Sequence, residues 1–402
     1  MEASRSRRLI LAAAGAAVVL RLGFGFLYWT NKPLTHDERE YLSLAASIAE
    51  GRGFTYTAAD DLGTSPQFGR APGYPVFLAL LGPSADAQST PAAVKIVQSV
   101  LGGIAVLLIA SITRVAAGDK AAVAAAGLAA IYPPLVWISA YVLSEAVYLP
   151  VALGCVVLLT RADTVPRGIA AGLLVGIAVL VRPGTLVFLP FAVLWLVRYR
   201  TRMLAVLFIL AIAAVMLPWT ARNYRTYGRV VLVAAEGGVT FWTGNHPLAR
   251  GEGDLAANPQ IKREEVLFRA AYSGLRAEAL EPLYYRDALR AIGNRPGWWL
   301  GLLVKKAFYT FVPIGPSYTL HSSRYLLATV APYAMLAPLA IAGLVLIARH
   351  GRPPIYLYLL AASVVLTGLI FFPQERFRIP VIDPLVIVGA AAAISGVTRP
   401  RS

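Results

Sequence analysis

Cysteine is nearly absent from this chain. The one copy, Cys155, sits inside an apolar run. No disulfide can form within the chain, and no metal site can be built from thiolates. Histidine is scarce as well: His36, His246, His321 and His350 are scattered, without metal-ligand spacing. Charge is thin. Only 14% of the 402 residues are Asp, Glu, Lys or Arg, against about 25% in a soluble domain. No repeated halves are visible, and no low-complexity stretch beyond Ala-rich helix. What is present is apolar: 57% of residues are hydrophobic and the mean hydropathy is +0.63. The composition is that of a polytopic membrane protein. The formal net charge of +16 would suggest nucleic acid in a soluble protein. Here Lys and Arg cluster at the ends of apolar runs, where cytoplasmic loops and anionic headgroups attract them.

Hydropathy and length predict about ten membrane spans. They are Leu9–Trp29, Ala92–Ala116, Ala121–Trp137, Ser144–Thr160, Gly168–Val181, Gly184–Val197, Met203–Trp219, Ala328–Ala348, Ile355–Phe372 and Ile379–Val397. Arg5, Arg7 and Arg8 before Leu9 have the look of a signal peptide. The apolar run continues past Arg21 to Trp29, and no clear small-x-small cleavage site follows, so a retained first helix is expected. The short connections carry the basic residues Arg114, Lys120, Arg161, Arg167, Arg198, Arg200, Arg202, Arg349, Arg352, Arg399 and Arg401. They place that side, and both termini, in the cytoplasm.

The chain reads as one membrane domain, 1–402, with two long segments on the outer face, 30–91 and 220–327. No separate soluble domain is expected after the tenth span. In the first segment, Thr35 and Glu38 stand at capping-box spacing, so a helix is expected to start there. Asp37 falls in its first turn, where the helix dipole favours a carboxylate. Tyr41, Leu44 and Ile48 continue Asp37's helical face toward the membrane body. In the second segment Lys262–Ala279 reads as an amphipathic helix. Pro282 suits the first position of the next helix, and Gly293 its stop. Trp298–Val312, with its paired Trp and Lys305-Lys306, suits a helix lying in the interface.

Charges at membrane depth cost a few kcal/mol each and tend to face a cavity or a partner. Arg21 lies in the first span, with snorkelling or pairing to an acid such as Glu145 as its bland roles. Glu145, Arg182, Arg376 and Arg378 fall at outer ends of spans, the same side as Asp37. An interfacial anchor (Arg182), or a headgroup patch and a local Glu375–Arg378 pair, are the structural alternatives. Together they make a site with one candidate base and several cations, which suits phosphate-linked chemistry at a bilayer. A prenyl-phosphate sugar leaves a stable phosphate anion, which fixed Arg side chains hold bidentately. One carboxylate then suffices to deprotonate an acceptor hydroxyl.

Four stretches, in order, resemble the GT-C glycosyltransferases that use polyprenyl-phosphate sugars, in particular bacterial relatives of protein O-mannosyltransferases and the aminoarabinose (lipid A) transferases. They are Thr35–Tyr41; Arg70–Ala79; Leu217–Tyr224 with Glu236-Gly237-Gly238 and Trp242-Thr243-Gly244-Asn245; and Arg376–Pro380. The resemblance implies an all-α GT-C-like membrane fold with amphipathic helices in its two outer loops. It implies inverting transfer of a sugar to an acceptor hydroxyl at the outer face of the cytoplasmic membrane. Asp37 matches the catalytic-base position, with Glu38 beside it. Arg182, Arg376 and Arg378 are donor-phosphate contacts, and Arg70, Tyr74, Glu145, Arg222 and Asn245 line or support the pocket. The expected partners are a polyprenyl-phosphate sugar, an acceptor glycan, lipid or protein, and the bilayer. No cofactor is expected. Some family members need a divalent metal, but no convincing ligand cluster stands out here, and Asp37 with Glu38 alone is a poor hard-cation site.

Two other classes fit the composition. A transporter or flippase would show repeated halves and helices broken near mid-membrane. An O-antigen ligase or polymerase also works on outer-face lipid-linked sugars. The early acidic helix favours the sugar transferase.

Overall fold

The computed structural model describes residues 2–56, 69–253, 257–312, 314–316 and 322–397. Arg399, Arg401 and His321, named above, lie outside the described residues. Every regular element among those described is helical. In chain order they are α1 (Glu2–Gly23), α2 (His36–Ala49), α3 (Gly73–Ala79), α4 (Ala92–Ala117), α5 (Asp119–Ile131), α6 (Pro133–Trp137), α7 (Glu145–Thr160), α8 (Val165–Val181), α9 (Leu189–Tyr199) and α10 (Arg202–Tyr227). There follow α11 (Gly237–Asn245), α12 (Pro259–Ala271), α13 (Ala277–Asn294), α14 (Pro296–Phe311), α15 (Ser323–His350), α16 (Ile355–Ile370), α17 (Glu375–Arg378) and α18 (Ile382–Ser395). A π-helical turn, Phe24–Tyr28, prolongs α1, and a 3-10 turn, Pro183–Phe188, leads into α9.

Among the described residues, four helices are long and apolar enough to cross a membrane: Ser4–Tyr28, α4, α10 and α15. The pair formed by α5 and the helical turns after it, bent by 60°, makes a fifth. Five shorter apolar helices coincide with the other segments expected to span. The molecule is a multi-pass membrane protein. The helices alternate in direction. One end of the bundle gathers α2, α3, α11 to α14 and α17; the opposite, basic end gathers Arg114, Arg161, Arg167, Arg198, Arg200, Arg202, Arg349 and Arg352.

Small residues let the helices approach. Ala121, Ala122, Ala125, Ala126, Ala129 and Ala130 form a buried face of α5, against which α1, α4 and α18 pack. The tightest seam joins α15 and α18. A side chain at Gly343 would begin 1.8 Å from the Gly389 carbonyl oxygen, so only glycine allows this approach.

Arg21 neither snorkels nor meets an acid. It is 1% exposed, and its guanidinium donates to the carbonyls of Ala17 (3.0 Å), Ala130 (3.3 Å) and Ala129 (3.4 Å). The cause is in the sequence. An unbroken α5 would satisfy Ala129 and Ala130 with the N–H groups of residues 133 and 134, and both are prolines. Tyr132 is forced into extended backbone (φ −63°, ψ 114°) and α5 stops. Arg21 supplies the missing donors at the negative end of the helix dipole.

The second long segment departs from expectation in three ways. First, α10 runs eight residues past Trp219 to Tyr227. The returning chain is laid along this extension: Trp219 Nε1 donates to the Val233 carbonyl (2.7 Å), Thr220 Oγ1 to Leu232 (2.9 Å) and Asn223 Nδ2 to Val231 (2.9 Å). Second, the amphipathic helix is shorter than predicted, ending at Ala271. Third, Pro282 does not open a helix but lies inside α13, which ends at Asn294, close to the stop expected at Gly293. Proline removes the N–H that would satisfy the Glu278 carbonyl. Arg229 Nη1 takes that carbonyl instead (2.5 Å), so the helix continues.

The stretch Trp298–Val312 forms α14. Its 16 residues span about 24 Å, short of a full crossing of about 30 Å. Leu302, Lys306 and Thr310 are buried on one face, while Leu300, Val304, Phe308 and Phe311 stand exposed on the other.

Candidate functional site

The capping box forms as its spacing requires. The Thr35 N–H and hydroxyl both donate to Glu38 Oε2 (2.8 and 2.9 Å). Glu38 Oε1 accepts from the Val142 N–H (2.8 Å), which ties α2 to the turn before α7. With both oxygens used and 2% exposure, Glu38 fixes the start of α2. Asp37, one residue earlier, is thereby aimed across the end of the bundle. Tyr41 and Leu44, on the same face, are buried as expected.

Asp37 is gripped from two sides. Arg70 Nη2 lies 2.6 Å from Oδ1, and Arg376 Nη2 lies 2.5 Å from Oδ2. Arg70 also binds Glu40 through Nε (3.0 Å) and Nη2, and stacks over the Tyr41 ring at 5.0 Å. Arg376 continues to Glu145, with Nε 3.6 Å from Oε1. The same oxygen is 2.6 Å from Arg182 Nη1. Glu40, Arg70, Asp37, Arg376, Glu145 and Arg182 therefore form an alternating row of acids and bases. Arg182 owes its place to Pro183, which ends α8 and holds Arg182 extended. Its guanidinium lies over the rings of Phe377 (4.6 Å) and Tyr148 (5.7 Å).

The row borders a cavity of about 460 Å³. Its polar lining includes Arg70, Glu145, Arg182, Glu236 and Arg376. Leu186, Val187, Val364, Phe371 and Phe372 make an apolar wall between the 3-10 turn and α16. Asp37 stands just behind Arg70 and Arg376. Burial alone would raise its pKa, but the two guanidiniums, Arg376 foremost, outweigh this and hold the carboxyl well below the usual range. Glu236 lies 3.9 Å from Arg70 Nε.

The other residues singled out from the sequence surround this centre. Arg378 touches the cavity, but its guanidinium is buried on Asp383 (2.9 Å) and the Tyr333 ring (4.0 Å), a different partner from the Glu375 suggested by spacing. Tyr74 is fully buried, its hydroxyl donating to Gln98 Oε1 (2.8 Å). Arg222 clamps the end of α10 to the Phe54 carbonyl (3.3 Å) and the Tyr227 hydroxyl (3.1 Å). Asn245 is buried among three elements. Its Nδ2 donates to the Ile370 carbonyl (2.8 Å), and its Oδ1 accepts from Trp299 Nε1 and Lys306 Nζ (both 3.0 Å). Asp37, Arg70, Glu145, Arg182 and Arg376 are thus brought together. Glu38, Tyr74, Arg222 and Asn245 brace the frame.

Three participants were missed in the sequence. Glu40 sits at i+3 from Asp37 on the same helical face, a spacing that was available. Glu236 stands out in the sequence only as part of the Glu236-Gly237-Gly238 motif. Lys306, which with Lys305 reads as interfacial in the sequence, is fully buried and also donates to the Leu369 carbonyl (3.0 Å). That bond fixes the chain just before the Phe371–Gln374 turn. Among the described residues, no group of three or more His, Cys, Asp or Glu is placed to hold a metal ion.

No protein-family model matches the sequence, and no curated protein matches it. Solved structures match in three dimensions. The archaeal oligosaccharyltransferase AglB from Archaeoglobus fulgidus, in complex with an inhibitory peptide and a dolichol-phosphate, superposes with a TM-score of 0.56 at 17% identity, covering 96% of this chain and 50% of that one. The same oligosaccharyltransferase tethered to an acceptor peptide containing the NVT sequon gives 0.57 at 15% identity, covering 96% and 49%. ArnT from Cupriavidus metallidurans bound to undecaprenyl phosphate gives 0.55 at 13% identity, covering 97% and 60%. The chain thus spans half to three-fifths of the length of these structures. Both are GT-C glycosyltransferases, and what this chain shares with them is the fold, as the resemblance in its sequence implied.

Proposed function

We propose that this protein is an inverting glycosyltransferase. In this reading it moves a sugar from a polyprenyl-phosphate donor to an acceptor hydroxyl, at the outer face of the cytoplasmic membrane. The observation that carries the reading is Asp37 held between Arg70 and Arg376, beside a cavity that is cationic on one side and apolar on the other. A lipid-phosphate donor has the same two-part character. The GT-C fold, seen in neighbours whose structures hold dolichol-phosphate and undecaprenyl phosphate, supports the same donor class.

The chemistry follows from the row of charges. The donor phosphate competes with Glu145 and Asp37 for Arg182 and Arg376, and a guanidinium offers a phosphate two parallel hydrogen bonds. The prenyl tail lies along Leu186, Val187 and Val364. As the sugar–phosphate C–O bond breaks, its electron pair passes to the phosphate oxygen, and the two guanidiniums stabilise the charge that develops. The acceptor oxygen attacks the opposite face of the anomeric carbon and gives its proton to Asp37. Asp37 doubly ion-paired is a feeble base. Donor binding that draws Arg376 onto the phosphate raises the basicity of Asp37 at the moment it is needed. Arg70 remains to orient it, itself steadied by Glu40.

The test is transfer or hydrolysis by purified wild type and Asp37→Asn against a panel of radiolabelled polyprenyl-phosphate sugars in detergent. Turnover by wild type alone is expected, with donor binding retained in the variant. Full activity in Asp37→Asn would overturn the base assignment. Failure of the wild type to bind or turn over any donor would overturn the donor class.

A further inference from the structure

The basic end of the bundle, opposite the site above, holds a second cavity of about 150 Å³. It opens between the ends of α4, α7, α9 and α16 and is lined by Thr160, Arg161, Arg200, Tyr356, Trp195 and Pro354, among others. We propose that this cavity is a phosphate-binding site, filled by the headgroup phosphate of an anionic phospholipid.

Four observations converge. Two guanidiniums, Arg161 and Arg200, border a space of headgroup size. Neither makes a hydrogen bond or close ion pair with another side chain among the described residues. Asp163, an acid within electrostatic reach of Arg200, is already held by Arg167 at 2.6 Å. Tyr356 is only 4% exposed, yet its hydroxyl has no hydrogen-bond partner. A buried hydroxyl left unpaired costs free energy, so a ligand oxygen at this spot would be held by it. Arg200 is close enough to act on that hydroxyl electrostatically. The first turn of α16, Ile355 and Tyr356, forms part of the wall, so a positive helix end also faces the space. Pro353 and Pro354 give that wall a fixed shape.

The rest of the lining explains why a lipid is the occupant. Ile112, Val115, Val157 and Ile355 add apolar lining, and Trp195 borders the same cavity. Tryptophan with arginine at the end of a helix bundle marks headgroup depth. Basic pockets between membrane helices select phosphate-bearing headgroups. A free phosphate would meet the same donors without using the apolar surface.

Native mass spectrometry of the detergent-purified full chain tests this with phosphatidylglycerol, phosphatidylcholine and inorganic phosphate. Phosphatidylglycerol is expected to bind to wild type in preference to phosphatidylcholine. Arg161→Gln/Arg200→Gln should weaken that binding by about tenfold or more, as lost hydrogen bonds to a charged group require. Tyr356→Phe, which removes only the hydroxyl, should weaken it by a smaller factor. Both arginines are exposed, so the double variant keeps its fold, and its melting temperature checks this. Displacement of the lipid by millimolar inorganic phosphate would assign the site to free phosphate rather than lipid, overturning the lipid occupant. Equal phosphatidylglycerol binding by wild type and the double variant would overturn the site itself, and equal binding of phosphatidylcholine, whose phosphate is offset by a cationic choline, would overturn the anionic occupant.

Discussion

Arg376 and Asp37 stand 339 positions apart in the sequence, yet Arg376 Nη2 lies 2.5 Å from Asp37 Oδ2. The pair closes this end of the bundle by joining α2 to α17. If Arg376 also receives the donor phosphate, Arg376→Ala is expected to weaken donor binding by about tenfold or more. Arg376→Lys should recover part of the binding, because an ammonium supplies charge without the planar fork. Equilibrium binding of a radiolabelled donor checks both. An unchanged affinity in Arg376→Ala would remove this residue from the phosphate site.

Neighbouring carboxylates should separate cleanly by role. Asp37→Asn is expected to reduce turnover by about 10²–10⁴, the range of general base catalysis. Glu38→Gln disturbs the cap and the bond to Val142. It should lower the melting temperature while turnover per folded molecule stays within a few-fold of wild type. Turnover and thermal unfolding of the two variants, measured side by side, decide the matter. A Glu38→Gln loss as deep as that of Asp37→Asn, in folded protein, would return Glu38 to the chemistry.

Arg21 should behave as a structural donor whose need is created by Pro133 and Pro134. Arg21→Met leaves the Ala129 and Ala130 carbonyls unpaired and is expected to cost about 1–3 kcal/mol. In a Pro133→Ala/Pro134→Ala background the backbone can supply its own N–H groups, so the same substitution should cost less. A double-mutant cycle in thermal unfolding reads the coupling. Strict additivity would mean that Arg21 does not serve those carbonyls.

Glu281 gives a pH signature. Burial pushes its carboxyl up to about 7, against the opposing pull of the Gly238 N–H that it accepts at 2.6 Å. In the unfolded chain a Glu titrates near ~4.3. A raised folded pKa contributes stability in full below about 4.3, which is lost as pH rises through about 7. Between those values the wild-type melting temperature should fall with rising pH. Glu281→Gln keeps an oxygen for Gly238 and should flatten that part of the curve. An identical pH profile in the two proteins would refute the assignment.

The expensive residues were legible and their partners were not. Asp37, Glu145, Arg182 and Arg376 stand out because charge near a membrane demands a reason, and all four join one row of ion pairs, of which Glu145, Arg182 and Arg376 line the cavity and Asp37 stands behind. The Thr35–Glu38 box was readable from a spacing of three. The break at Tyr132 was readable from two prolines, but its rescue by Arg21, more than a hundred positions earlier, was not. Pro282 misled for the same reason. Its helix survives because Arg229, distant in sequence, satisfies the carbonyl that proline abandons. Lys306 and Asn245 illustrate the limit of hydropathy. A lysine beside paired tryptophans looks interfacial until the fold shows which face of its helix is covered.

The alternating row from Glu40 to Arg182 carries three acids and three bases, so its formal charges cancel. A bare cluster of three arginines would be a trap for any soluble anion, including nucleotides and free phosphate. Under the proposed function this row works instead as an ion exchanger: an incoming anion must evict a resident carboxylate to be held. A diffusible anion at low concentration gains little from that swap. A phosphate tethered by a lipid tail is presented at high local concentration and gains apolar contact at the same time. Discrimination against soluble anions is then built into the resting pairing, before any contact with the sugar is made.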